Sequence, residues 1–149
     1  MNVDSVIEKV LEEHRTITRL LEQILGTFAQ KSGASRVNEW KDLRPKLADL
    51  HVHLKEHFRL EEEGGFLAPV LEVLPTASSS VDALMGEHRL LLEQVNTLLH
   101  RIDASTRENQ LDASLVLQIQ QFAEMLKKHE RSEDSLIQKV YAEDIGTDD

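Results

Sequence analysis

Two stretches carry side chains whose types and spacing can do chemistry: His57-Phe-Arg-Leu-Glu61 and His129-Glu-Arg-Ser-Glu133. Each sets a histidine one helical turn ahead of a glutamate, so the two side chains leave one helix on the same side. Both pairs lie inside apolar stripes. Leu50 and Leu54 precede His57; Phe122 and Leu126 precede His129, and Leu136 follows it at helical spacing. A carboxylate on a core face needs a partner, because an unpaired buried charge is very costly. The partners on offer elsewhere are histidines again. His14 lies between Val10 and Ile17, and His88 lies within a leucine-rich stripe. One inward histidine is ordinarily a hydrogen-bonded core residue. Six inward polar groups need a common partner. His14, His57, Glu61, His88, His129 and Glu133 therefore form a candidate metal-binding set.

Imidazole nitrogen and carboxylate oxygen without thiolate suit iron, manganese or zinc. A single structural zinc takes four ligands, whereas two metals bridged by Glu61 and Glu133 would use all six residues. The Glu-x-x-His pattern of ferritin-type di-iron sites is absent, as is His-Glu-x-x-His. The other histidines fall elsewhere. His51 and His100 point off the face, while His53, one turn before His57, is placed to support the site or line a pocket beside it. Asp134 is an alternative to Glu133, which is preferred because it repeats the His57–Glu61 step. Met85 and Met125, near His88 and His129, are read as core filling.

Helices must position this set. The stripe Val6, Val10, Ile17, Leu20, Leu21, Ile24 and Phe28 predicts a helix from about Asp4 to Gln30, followed by a turn over Lys31–Ser35 with a glycine stop signal. A second helix runs from after Arg36 to about Glu63, where Gly64-Gly65 ends it; Pro45 either kinks this helix or opens its main segment. Phe66–Leu74 predicts a short apolar helix, and Pro75–Ser80 a loop. A third helix spans about Ser80 to Asp103, with Leu84, Met85, Leu91, Leu92, Val95, Leu98 and Leu99 inward. Ala104–Asn109 reads as a loop. A last helix spans about Leu111 to Tyr141, and a flexible tail is expected from about residue 144. Four long amphipathic helices joined mostly by short links predict an all-α, antiparallel up-down four-helix bundle, with a short extra helix between helices 2 and 3. There is also a loose two-fold pattern: a helix with one inward histidine, then a helix with His-x-x-x-Glu, stated twice.

Length and composition bound the reading. The 149 residues suit one domain with a sizeable core, and 40% hydrophobic with 30% charged residues suits a folded globular chain. A net charge of −10 disfavours nucleic acid and anionic membrane as partners. There is no cysteine, which excludes disulfides, thiolate ligands and thiol catalysis and fits the cytoplasm. The N-terminal segment is not a signal peptide, and no stretch is long and apolar enough to span a membrane.

The ordered set His14, His57-x-x-x-Glu61, His88, His129-x-x-x-Glu133 resembles the haemerythrin-like, HHE cation-binding domains, over nearly the whole chain. Glu87-His88 at the start of a leucine-rich helix and the acidic residues after His57 add to the likeness. The resemblance implies a haemerythrin-like bundle holding two non-haem iron ions joined by two carboxylates and a bridging oxygen, with manganese and zinc as lesser candidates. It implies dioxygen, or another small diatomic or peroxide, as the ligand. The implied roles are oxygen binding, response to oxygen or redox state, decomposition of peroxide or nitric oxide, and iron storage or sensing; enzyme and binding protein both stay open. One departure bears on this. Oxygen carriers of the family have a further histidine one turn after the third-helix histidine, where this chain has Leu92. Two six-coordinate irons offer about twelve positions, of which the six residues and a bridging oxygen fill about ten. The extra opening favours a sensor or a peroxide-handling centre over a pure carrier.

Overall fold

A computed structural model describes residues 3–27, 36–63, 66–108 and 113–147. Five α-helices follow in order: α1 (Val3–Gly26), α2 (Arg36–Glu63), α3 (Leu67–Val73), α4 (Ser78–Glu108) and α5 (Ala113–Thr147), with a 3₁₀ turn at Pro75–Ala77 before α4. No strand occurs among the described residues. The four long helices have 24, 28, 31 and 35 residues. They form an antiparallel four-helix bundle: α1 packs on α2, α2 on α4, α4 on α5, and α5 back on α1.

Each long helix forms because its apolar residues recur at three- and four-residue steps and can be buried together. The buried residues fall into two clusters. The larger gathers Ile17, Leu21 and Ile24 of α1, Leu43 to Phe58 of α2, Leu91 to Ile102 of α4 and Leu115 to Leu126 of α5. The smaller gathers Ile7 and Val10 of α1, Val81 and Leu84 of α4, Leu136, Ile137 and Val140 of α5, and Phe66, Leu67 and Val70 at α3. Helix α3 thus plugs one end of the bundle, where it packs against α2, α4 and α5. On α1, α4 and α5 the candidate ligands lie between residues of the two clusters: His14 between Val10 and Ile17, His88 between Leu84 and Leu91, His129 and Glu133 between Leu126 and Leu136; on α2, His57 and Glu61 flank Phe58 at the end of the larger cluster. The polar layer is closed off by apolar side chains above and below.

Several boundaries differ from the sequence reading. The first helix stops at Gly26, short of Gln30; Phe28 and the turn over Lys31–Ser35 lie outside the described residues, as does Gly64-Gly65. Helix α2 runs unbroken through Pro45 from Arg36. The predicted loop Pro75–Ser80 shrinks to the 3₁₀ turn, and α4 starts at Ser78. Most of the predicted loop Ala104–Asn109 is helix, because Ala104 to Glu108 contain no glycine or proline to stop it. Helix α5 extends through Thr147, past the expected end at Tyr141. Met85 and Met125 are not core: both are exposed, at 37% and 36%. Each sits one position from a buried leucine, Leu84 or Leu126, and adjacent residues on a helix point about 100° apart.

Candidate metal centre

The structure brings all six predicted residues together in the polar layer. His14, His57, His88 and His129 are between 1% and 5% exposed, and Glu61 and Glu133 are fully buried. Glu133 lies at the centre, with Oε1 3.3 Å from His14 Nε2, 3.2 Å from His129 Nε2 and 3.9 Å from His57 Nε2. Its Oε2 is 4.0 Å from His88 Nε2. Glu61 Oε1 is 3.0 Å from His57 Nε2 and 3.4 Å from His88 Nε2.

Short as these distances are, none is aligned as a hydrogen bond. The Nε2 atoms of all four histidines and both oxygens of Glu61 and Glu133 are buried without a hydrogen-bond partner. Buried polar atoms are nearly always satisfied, so eight of them converging on one layer mark a place for a ligand that is not protein. The donor atoms fall into two overlapping groups: His14, His57, Glu61 and Glu133, and Glu61, His88, His129 and Glu133, each within 4.8 Å of one another. The two glutamates belong to both groups. The residues present therefore fit bound metal.

The outer nitrogens of the rings are held differently. His14 Nδ1 donates to Asp134 at 3.0 Å, His57 Nδ1 to Glu13 at 2.5 Å, and His129 Nδ1 to Glu87 at 3.0 Å. A carboxylate accepts here, so Nδ1 carries a proton and Nε2 is the nitrogen turned inward. His88 Nδ1 is 3.5 Å from Glu62 and makes no hydrogen bond. Asp134, the alternative considered for Glu133, therefore faces the back of His14 and belongs to neither group of donors.

Phe58 packs against three of the rings. It stacks on His88 at 4.0 Å with planes 10° apart, and lies 5.7 Å from His57 and 5.5 Å from His129. Among the remaining histidines, His100 is exposed and His51 half-buried. His53 pairs with Asp49 at 3.7 Å and lines a cleft of about 310 Å3 between α1 and α2, with Glu13, Glu56 and His57 on its other walls. Leu92 is half-buried and packs against the larger apolar cluster.

Protonation in the metal-free protein is uneven. Burial opposes charge on His57, but its contacts with Glu13 and Glu61 outweigh burial and raise its pKa to about 9. Burial likewise opposes ionisation of Glu61, yet His57 and His88 hold it down to about 2. His129 goes the other way: burial lowers its pKa against the pull of Glu87. Glu130 is a buried acid outside the six; burial raises its pKa, Thr18 donates to Oε2 at 3.2 Å, and Oε1 has no partner.

Sequence reasoning missed Phe58, Glu130 and the roles of Glu13, Glu62 and Glu87. Each acidic residue of that trio is a direct chain neighbour of a ligand candidate, and that adjacency is the signal that was there to be read.

Comparison with known proteins gives one match. The model of the hemerythrin HHE cation-binding domain matches residues 5–141. No curated protein and no solved structure matches the chain.

Proposed function

Because the chain belongs to the hemerythrin HHE cation-binding family, we propose that its buried layer holds two non-haem iron ions and that the protein binds dioxygen or responds to oxygen or redox state. The observation that carries this reading is the set of eight unsatisfied inward atoms, on six residues that form two groups of four sharing Glu61 and Glu133. Iron bound there would supply reversible one-electron chemistry toward a small oxygen-containing ligand.

The chain's own residues do the rest. His14 and His57 would hold one metal and His88 and His129 the other, with Glu61 and Glu133 available to both. Apolar clusters on both sides keep bulk water away, which strengthens every charge interaction inside. Phe58 packs against the rings of His57, His88 and His129. His57 also forms part of the wall of the cleft between α1 and α2. Burial raises the pKa of Glu130, which interacts electrostatically with His14 and His57.

Iron-loaded protein should change its optical spectrum between anaerobic buffer and air, and regain the first spectrum when oxygen is removed. A spectrum indifferent to oxygen would refute the reading. A second reading, a centre that decomposes peroxide or nitric oxide, is favoured by Leu92, which packs into the apolar core and supplies no ligand where a carrier has histidine. Catalytic turnover of peroxide by the iron-loaded protein separates the two.

A further inference from the structure

Four carboxylates surround the six ligand candidates, and their order is cyclic. Glu13 of α1 takes His57 of α2; Glu62 of α2 faces His88 of α4; Glu87 of α4 takes His129 of α5; Asp134 of α5 takes His14 of α1. Each carboxylate is the chain neighbour of a ligand candidate on its own helix: Glu13 of His14, Glu62 of Glu61, Glu87 of His88 and Asp134 of Glu133. A helix explains this. When one residue points at the axis of the bundle, its chain neighbour is rotated by about 100° and points toward an adjacent helix. The neighbour precedes the ligand candidate on α1 and α4 and follows it on α2 and α5, the alternation that antiparallel helices need to close a ring.

We propose that Glu13, Glu87 and Asp134 are positioning residues that lock three of the four histidines, and that His88 is left as the adjustable ligand. This rests on the layer being a metal centre. Three corners of the ring are hydrogen bonds of 2.5 to 3.0 Å. The two-fold pattern of the chain makes Glu62–His88 the counterpart of Asp134–His14, but the first is 3.5 Å without a hydrogen bond and the second is a 3.0 Å hydrogen bond. His88 is instead held by stacking on Phe58, a contact that permits the ring to slide in its plane and fixes no tautomer. The two metal positions are consequently unequal: the one formed by His14 and His57 is locked on both sides, and the one formed by His88 and His129 on one side.

The test measures ferrous iron affinity anaerobically by chelator competition in the full chain and in Glu13→Gln, Glu62→Gln, Glu87→Gln and Asp134→Asn. Glu93→Gln, an exposed site on α4 outside the ring, is the control. Loss of an outer carboxylate on a ligating histidine typically weakens metal binding by about 10–100-fold. That loss is expected for Glu13, Glu87 and Asp134, and less than about 3-fold for Glu62. Side-chain nitrogen–proton spectra of the zinc-loaded parent supply a readout that a packing role would not move. They should show three protected histidine Nδ1–H groups, with the fourth, on His88, exchanging fast; Glu87→Gln should expose the one on His129. Equal losses at all four corners, or losses no larger than the control, would overturn the ring while leaving the metal centre standing. A parent that binds neither iron nor zinc would overturn both.

Discussion

Replacing Glu133 by glutamine probes the centre with least disturbance to packing, since the side chains are isosteric. Without metal, two opposing effects are removed together. Glu61 and Glu133 offer oxygens within 4.8 Å of each other, a repulsion of roughly 3.5 kcal/mol at an effective dielectric of about 20. Glu133 also lies 3.9 Å from the protonated His57, an attraction of roughly 4 kcal/mol on the same scale. The two nearly cancel, so metal-free Glu133→Gln should melt within a few degrees of the parent. With metal they part. Treating loading as one binding event, metal at 100 times its Kd stabilises the parent by about 2.7 kcal/mol. For a chain of 149 residues that is a rise of roughly 5–11 °C. Loss of a shared carboxylate should weaken binding by about 100-fold or more, leaving about 0.4 kcal/mol at the same metal concentration and a rise of roughly 1–2 °C. Calorimetric melting of both proteins, with and without ferrous iron under anaerobic conditions, measures all four values. Equal metal-induced shifts would refute the central position of Glu133.

Three further outcomes follow from the geometry. In the metal-free protein His57 has its pKa raised from 6.5 to about 9. Its contribution, on the order of 3 kcal/mol, is therefore fully present below pH 6.5 and lost as pH rises through 9. Denaturant unfolding between pH 6 and 9.5 should show this decline, and Glu13→Gln should flatten it. A parent whose stability is flat or rising over that window would contradict the assignment. The Glu61 contacts are the same interactions seen from the carboxylate, present above pH 4.5 and lost toward about 2. Phe58→Ala should cost about 3–5 kcal/mol from the cavity it opens, and iron affinity should fall because His88 loses its stacking partner; an unchanged affinity would show that Phe58 only fills space. Leu92→His, one turn after His88, should slow the reaction of the iron-loaded protein with peroxide, at some cost in metal-free stability as a polar ring replaces packed leucine; equal rates at equal iron content would show that this position does not reach the metal.

The bundle and the convergence of the six side chains were legible because both are questions of period. Apolar residues at helical steps define a face, and a histidine or glutamate at such a step, like His14 between Val10 and Ile17, must share that face. The ring of carboxylates was hidden for the opposite reason. Glu13, Glu62, Glu87 and Asp134 lie one step off the face, where an acidic residue looks like solvated surface, and only the approach of the next helix reveals its partner. Phe58 was hidden likewise, since its position beside His57 did not tell which histidines it would meet. Helix ends were the least legible. Nothing in Ala104 to Glu108 forbids helix, so their polarity suggested a loop that the backbone does not make. Met85 and Met125 were misplaced because an apolar residue adjacent to a buried leucine cannot share its direction.

The most direct test of the central claim is the metal stoichiometry of the folded chain. Protein loaded anaerobically with ferrous iron, freed of excess metal and analysed for elements should carry two irons per chain, and Glu133→Gln prepared in the same way fewer. One zinc and no iron per parent chain after the same loading would contradict a shared-carboxylate iron pair.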